Sequence, residues 1–122
     1  MNQDLSINNE NIRQVLTYVR TEFQKIIGES LVKIILYGSC VRGEWLADSD
    51  IDIMLLIDDS EENIEKYDVE ISKITFDLSL KYNVLLSVIL KNYRQFSEYQ
   101  DVLPFYRNVY EEGIEIYGRK AA

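Results

Sequence analysis

Residues 36–52, LYGSCVRGEWLADSDID, join two apolar runs through a short polar connection. The first run, LVKIILY, leads into Gly38 and Ser39, and after ten further residues Asp50 and Asp52 flank one isoleucine at the head of the second run. Runs dense in β-branched and aliphatic side chains are typical of strands that are covered on both faces or nearly so. We therefore predict three elements here: strands over residues 31–37 and 50–57 and, between them, a short helix that begins at Ser39.

Asp50 and Asp52 lie on the same face of the second predicted strand, because side chains alternate along a strand with a period of two. Carboxylates two residues apart on one face are roughly 6–7 Å from each other, and from there they can bracket magnesium ions about 4 Å apart. Hard oxygen ligands of this kind suit Mg²⁺. The alternative is a pair of exposed acids on an edge strand, where their charge discourages aggregation.

Gly38 and Ser39 stand where the first strand gives way to the predicted helix. Such a turn offers backbone N–H groups, a hydroxyl and the positive end of a helix to an anion, and glycine lets a phosphate come close. Arg42 falls in the first helical turn, where a cation is unfavourable unless an anion such as a triphosphate lies nearby. The alternatives are an ordinary turn with a capping serine, and an exposed arginine that pairs with Glu44 or Asp48.

The rest of the chain is interpreted as scaffold in which helices and strands follow one another. Apolar residues at spacings of three and four mark the helices, and Gly28 stands where a left-handed helix terminator is expected. Asp59 and Glu62 resemble a capping box before the long central helix. The further predicted elements are a helix over residues 9–27, a helix through 64–78 that ends near Tyr82, a strand over 84–90, a short helix around Tyr93, Phe96 and Tyr99, a helix that starts at Pro104 and ends before Gly113, and a strand over 114–117.

Together these elements predict an α/β (α+β) fold for a single domain over residues 1–122. We expect a small mixed sheet of three or four strands with helices mainly on one face. If the first two strands run antiparallel, we expect the short helix to cross back and bring the Gly-Ser turn and the aspartate pair to one edge of the sheet.

Composition narrows the chemistry that this chain can perform. The net charge is −8 and the basic residues are scattered, so direct binding to a nucleic-acid backbone is not expected. One cysteine and no histidine exclude an internal disulfide, the usual zinc ligand sets and a histidine general base. Neither a signal peptide nor an apolar run of membrane-spanning length is present, which favours a cytoplasmic protein without membrane contact.

The spacing of the polar motifs resembles that of a known superfamily. Gly-Ser, ten residues and then Asp-Ile-Asp resemble the signature of the DNA polymerase β-like nucleotidyltransferases, and most closely their minimal single-domain bacterial members. The resemblance extends to RG after the Gly-Ser pair, SD before the strand, the helix end DLSLKYN and the tail PFYRNVYEEGIEIY. It therefore covers nearly the whole chain.

This resemblance implies a function and a set of site residues. Minimal nucleotidyltransferases commonly pair, as antitoxins, with a HEPN-domain ribonuclease toxin, and some transfer AMP from ATP to a tyrosine of that toxin. The residue-by-residue match implies that Gly38 and Ser39 hold the ATP triphosphate, and that Asp50 and Asp52 bind Mg²⁺. Arg42 and Ser49 also match the pattern and would lie at the nucleotide. The resemblance is compatible with a homo- or hetero-oligomer.

The chain departs from the superfamily pattern in the third predicted strand, where fully equipped members carry a third carboxylate. No acid occurs there, and by alternation Ser87 occupies or adjoins that position, whereas Asp77 belongs on the preceding helix. Serine is a poor base near neutral pH. Alternatives to a protein adenylyltransferase are therefore a non-catalytic antitoxin that covers its partner with the Tyr-rich C-terminal third, and, less favoured, an enzyme that modifies a small molecule.

Overall fold

The computed structural model describes residues 10–38, 41 and 50–119. The short helix predicted to begin at Ser39 lies outside these residues. None of the helices in the described part is long and apolar enough to cross a membrane. The helices and strands, in chain order, are α1 (Glu10–Ile27), β1 (Leu31–Tyr37), β2 (Asp50–Ile57), α2 (Glu61–Tyr82), β3 (Leu85–Asn92), α3 (Tyr93–Tyr99), α4 (Pro104–Glu112) and β4 (Ile114–Gly118).

The strands form one mixed sheet in the order β3-β2-β1-β4. β1 is antiparallel to both β2 and β4, whereas β2 and β3 are parallel. The parallel pair is joined by α2, which supplies the long crossover that two parallel strands require. The α/β fold and the small mixed sheet predicted from the sequence are confirmed, and β3 and β4 are the two edge strands.

The two faces of the sheet are covered by helices of different length. The long helices α1 and α2 pack on one face, where β2 contributes Ile51, Ile53 and Leu55 to an aliphatic core. The short helices α3 and α4 supply aromatic residues to the other face. That second cluster consists of Ile35, Met54, Leu56, Phe96, Tyr106 and Val109. The long helices thus share one face, as predicted, and Asp50 and Asp52 belong by alternation to the face of the short helices.

The ends of the helices follow local sequence chemistry with one exception. Gly28 has a positive φ of 69° and terminates α1 as predicted, and Pro104 opens α4 as predicted. The predicted capping box at the start of α2 was wrong. Ser60 is the N-cap, and its hydroxyl accepts a hydrogen bond from the backbone N–H of Asn63 at 3.2 Å. Asp59 lies one residue earlier, where its carboxylate binds several side chains instead.

Candidate functional site

The antiparallel pairing of β1 with β2 places the end of β1 beside the start of β2. Tyr37, the last residue of β1, is directly opposite Asp52, and Gly38 follows at once. The expectation that a helix must cross back to bring the turn and the aspartates together was wrong. In an antiparallel pair the end of one strand adjoins the start of the next, so the pairing itself is sufficient.

Gly38 is required by its own backbone and by its contact with Asp52. Its φ of 85° lies in the left-handed region that side chains rarely adopt. A Cβ atom added here would overlap the carboxylate oxygen Oδ2 of Asp52 and would lie 3.3 Å from the Cγ of Asp52. The Gly38 carbonyl accepts a hydrogen bond from Val41 N–H at 3.2 Å. Glycine therefore lets the chain turn directly over the carboxylate of Asp52.

The two predicted aspartates lie together at the start of β2. Asp50 is exposed and Asp52 is partly buried. Partial burial, and then the negative charge of Asp50, raise the pKa of Asp52 above its usual range. The fold thus holds two like charges on one face, an arrangement that favours a cation between or beside them.

Tyr37 is a neighbour of this pair that sequence analysis missed. Burial and the charge of Asp52 raise the pKa of the Tyr37 phenol to about 12, so it remains protonated at neutral pH. Its ring packs edge-on against Phe105, with the centroids 5.8 Å apart and an interplanar angle of 74°. The only sequence signal was its place directly before Gly38, since its closeness to Asp52 depends on the register of two strands.

On the other side of β2, the parallel strand β3 lies next to the two aspartates. Leu85 pairs with Asp50, and Ser87 pairs with Asp52. Ser87 therefore lies next to Asp52, as the alternation of this strand predicted. Asp77 is an exposed residue of α2, also as predicted. The strand position beside Asp52 thus carries a hydroxyl and not a carboxylate.

A comparison with protein families identifies this arrangement. The model of the Nucleotidyltransferase domain family matches residues 12–115, which is most of the chain. The chain belongs to this nucleotidyltransferase family. The two aspartates, the Gly38 turn and the strands that position them all fall within the matched residues.

Individual relatives agree with this assignment. The chain is 32% identical over 79 residues to "Putative protein adenylyltransferase MJ0141" of Methanocaldococcus jannaschii, covering 65% of this chain and 78% of that protein. It is 38% identical over 85 residues to "Putative protein adenylyltransferase MJ0604" of the same organism, covering 70% and 77%. A crystal structure of a toxin-antitoxin with AMP-PNP matches with a TM-score of 0.53 and 17% identity, over 92% of this chain and 76% of that one. At that identity the structural likeness shows the fold alone.

The residues of this nucleotidyltransferase fit a magnesium ion that is shared with a phosphate ligand. Within residues 10–38, 41 and 50–119, no three or more carboxylate, cysteine or histidine side chains are grouped to hold a metal. Mg²⁺, however, commonly binds through one or two carboxylates, with substrate phosphates and water completing its coordination. Partial burial and then the charge of Asp50 raise the pKa of Asp52, and a divalent cation beside the pair would stabilise its charged form. Asp50 and Asp52 therefore form a donor set suited to Mg²⁺ with a nucleotide.

Three of the predicted site residues lie outside the described part of the chain. Ser39, Arg42 and Ser49 all belong to the connection between β1 and β2. Their assignment to the nucleotide stays a prediction. Of the remaining predicted residues, the structure brings Gly38, Asp50 and Asp52 to one end of the sheet.

Proposed function

We propose that this nucleotidyltransferase depends on Mg²⁺ and transfers AMP from ATP to a tyrosine of a partner HEPN-type toxin, so that it acts as an antitoxin. The observation that carries the proposal is the pair of carboxylates on one strand face beside the Gly38 turn. Two findings add support. The two curated relatives are named as protein adenylyltransferases, and the fold is shared with a toxin-antitoxin whose structure contains AMP-PNP, an ATP analogue.

Each site residue has a chemical role in this proposal. Gly38 lets the triphosphate approach the backbone, Ser39 and Ser49 supply hydroxyls to it, and Arg42 supplies positive charge. Asp50 and Asp52 would hold Mg²⁺, which when bound neutralises phosphate charge at the reacting centre. The remaining task of the chain is to position the acceptor oxygen in line with the bond that breaks.

The transfer itself is a balanced displacement at the α-phosphorus of ATP. The phenol oxygen of the acceptor forms a bond to that phosphorus, and the bond from the phosphorus to the bridging oxygen of pyrophosphate breaks. Pyrophosphate leaves, and the phenol proton passes to water. In reactions of this type most of the barrier is overcome by positioning and by electrostatic stabilisation, so a strong base is not essential.

A tyrosine acceptor suits a site in which Ser87 stands beside Asp52. Serine cannot take a proton near neutral pH, so the acceptor must lose its proton without a carboxylate on β3. A tyrosine phenol has a pKa of about 10, well below that of an aliphatic alcohol. The chemistry available at this site therefore favours a phenol over a sugar or serine hydroxyl.

A non-catalytic antitoxin is the second candidate, and one observation favours it. Large apolar side chains are exposed around the turn that joins α3 to α4, namely Val102 at 65%, Leu103 at 43% and Phe105 at 46% exposure. Exposed apolar groups of this kind are typical of protein contact surfaces. In this candidate function, the chain silences its partner by covering it with the C-terminal third, and no AMP is transferred.

Intact-mass spectrometry of the partner separates the two functions. The purified chain is mixed with Mg²⁺, ATP and the HEPN-type toxin proposed as its partner, and the toxin is then weighed. The expected result is the added mass of one or more AMP groups with the wild type and with Asp58→Asn, and no added mass with Asp50→Asn. Silencing of the toxin without a mass change, equally by wild type and by Asp50→Asn, would instead establish the covering mechanism.

A further inference from the structure

The outer edge of β3 is an unusually unprotected strand edge. β3 is one of the two edge strands of the sheet and is paired with β2. No strand among the described residues pairs with its outer side. The stretch NVLLSVIL, residues 83–90, contains neither a charge nor a proline, and the one charged residue of β3, Lys91, lies near the end of the strand. Edge strands are usually protected from further pairing by charged residues, proline or bulges. This edge is therefore suited to pair with another extended chain.

The backbone of β3 presents hydrogen-bonding groups along this edge. The N–H of Leu86 donates to the Ser79 hydroxyl of α2 at 3.3 Å, so it points away from β2. Because backbone groups alternate along a strand, the N–H and C=O groups of Val88 and Leu90 point the same way. An added strand can bond to the outward groups of Val88 and Leu90 and so continue the sheet.

An apolar groove runs beside these backbone groups, between α2 and β3. It has a volume of about 480 Å³ and is lined by Phe76 and Leu80 of α2 and by Val84, Leu85 and Val88, among others. Phe76 is 65% exposed and Leu80 is 67% exposed. We call this the β3 groove. It offers pockets for the alternate apolar side chains of an added strand.

The same edge is continuous with the candidate site, because Leu85 pairs with Asp50 and Ser87 with Asp52. Half of the side chains on an added strand would enter the β3 groove, and the other half would lie on the aspartate face. Neighbouring strands are about 4.8 Å apart, so the added strand would lie roughly 10 Å from β2. The small, exposed Ser87 between them leaves room for a long side chain to cross β3.

We infer that the outer edge of β3 binds an extended segment of the acceptor protein as an added strand, with apolar side chains in the β3 groove and the acceptor tyrosine on the aspartate face. This inference rests on the proposed function. The distance between the added strand and Asp52 also determines which type of residue can be the acceptor. A tyrosine hydroxyl extends far from its backbone and spans most of the gap to Asp52, whereas a serine or threonine hydroxyl stays beside its own strand.

The test introduces a charge into the groove and, as a matched control, elsewhere. Phe76→Asp changes a groove residue, and Val102→Asp changes an equally exposed residue, both being 65% exposed, in the turn between α3 and α4. Binding of the HEPN-type toxin is measured calorimetrically without ATP, and ATP binding is measured separately with Mg²⁺. Circular dichroism checks that both variants are folded.

We expect Phe76→Asp to weaken toxin binding about tenfold or more, as loss of a central contact does, and Val102→Asp to change it less than about twofold. Val88→Pro, which removes an outward N–H at a position where edge strands tolerate proline, should weaken it as well. ATP affinity should be unchanged in all three variants, because none of them alters the aspartates or the Gly38 turn.

Other outcomes would overturn the inference or the proposed function separately. Unchanged toxin binding by Phe76→Asp, or a loss confined to Val102→Asp, would overturn the β3 groove as the docking site while transfer could still be observed. A wild-type dimer in sedimentation that Phe76→Asp converts to a monomer would assign the groove to a second copy of the chain and also overturn the inference. Weaker binding by Phe76→Asp with no AMP transfer by any form would uphold the docking site and reject the proposed function.

Discussion

Aspartates occur in pairs at both ends of β2, and the pKa values of Asp52 in one pair and Asp59 in the other are shifted in opposite directions. After the end of the strand, Asp59 accepts hydrogen bonds from Ser60 N–H and Asn63 Nδ2, both at 2.8 Å, and from the hydroxyls of Tyr67 at 3.0 Å and Ser30 at 3.2 Å. These bonds, led by those of Asn63 and Ser60, lower the pKa of Asp59. Its negative charge is stabilised by groups that the protein itself provides.

The negative charge of the neighbouring Asp58 is paired with two arginines. Arg94 Nε lies 3.1 Å from one of its carboxylate oxygens and Arg119 Nη2 lies 3.6 Å from the other. At the start of β2, by contrast, burial and the charge of Asp50 raise the pKa of Asp52. Hydrogen-bond donors thus stabilise the charge of Asp59, whereas partial burial and a like charge disfavour the charge of Asp52, although both residues are the same chemical group.

The largest effect at the start of β2 is expected from Gly38→Ala. The new Cβ would press on the Asp52 carboxylate and would also require a left-handed backbone at alanine. We expect Mg²⁺-dependent ATP binding to fall about 100-fold or more, because displacements of about 1 Å at a site have effects of that size. Calorimetric titration of ATP measures the loss.

Gly28→Ala is the matched control for this substitution. Gly28 also has a positive φ, of 69°, but nothing lies within 4 Å of an added Cβ. Alanine there should lower the free energy of unfolding by about 1–2 kcal/mol through backbone strain alone, with ATP affinity unchanged. Equal losses of ATP affinity in both variants would show that Gly38 acts only through its backbone conformation.

The next effect is a difference in sign between Asp52→Asn and Asp59→Asn in the absence of ligand. Asp52→Asn removes a charge that the fold disfavours, so at pH 7 its unfolding temperature should rise by a few degrees at most. Asp59→Asn removes a charge that four donors stabilise, so its unfolding temperature should fall. Thermal unfolding followed by circular dichroism measures both, and shifts of the same sign would contradict the comparison.

Lowering the pH should reduce this difference in unfolding temperature between Asp52→Asn and Asp59→Asn. The lowered pKa of Asp59 means that its contribution to stability is present above its unfolded pKa of about 3.9, and is lost as the pH falls through the lower folded value. The raised pKa of Asp52 means that its destabilising effect grows as the pH rises from about 3.9 through the higher folded value. The gap in unfolding temperature between the two variants should therefore narrow from pH 7 to pH 3.

The smallest effect is expected at Tyr37, the tyrosine opposite Asp52. Its folded pKa of about 12 exceeds the unfolded value of about 10, so the folded state keeps this proton longer. Wild-type stability should accordingly decline as the pH rises from about 10 to 12, and Tyr37→Phe should lose less stability over that range. Denaturant unfolding at pH 9 and pH 11.5 measures the difference, and an identical decline in both proteins would contradict it.

The sequence was sufficient to predict the longer helices and the strands that the structure describes, and the strand face that Asp50 and Asp52 share. Apolar runs located β1, β2 and β3. The period of two placed Asp50 and Asp52 on one face of β2 and predicted that Ser87 lies beside them on β3. These are local properties, since they depend only on residues that are near one another in the chain. The α2 cap was missed because Asp59 and Ser60 are adjacent and both can cap a helix, so only the geometry of the turn decides between them.

What the sequence could not supply depends on contacts between distant residues. The nearness of Tyr37 to Asp52 follows from the register of β1 against β2, and its contact with Phe105 requires α4 to pack on the same face. The difference between Asp52 and Asp59 likewise requires Ser30 and Tyr67 to meet at the far end of β2. Periodicity predicts which face a side chain occupies, but not the partner that it meets there.

Calorimetric titration of ATP, with and without Mg²⁺, into the wild type, Asp52→Asn and Asp58→Asn shows directly whether Asp52 serves the nucleotide and Asp58 does not. Loss of the ion pairs of Asp58 should cost at most about 1 kcal/mol of stability, so that variant remains folded and has the same charge change as Asp52→Asn. We predict that Asp52→Asn weakens Mg²⁺-dependent binding by about 100-fold or more, since even residues that only support a metal ligand contribute 10–100-fold, and that Asp58→Asn stays within about twofold of the wild type. An ATP affinity that ignores Mg²⁺, or that falls equally in both variants, would contradict the claim that the two ends of β2 differ in function.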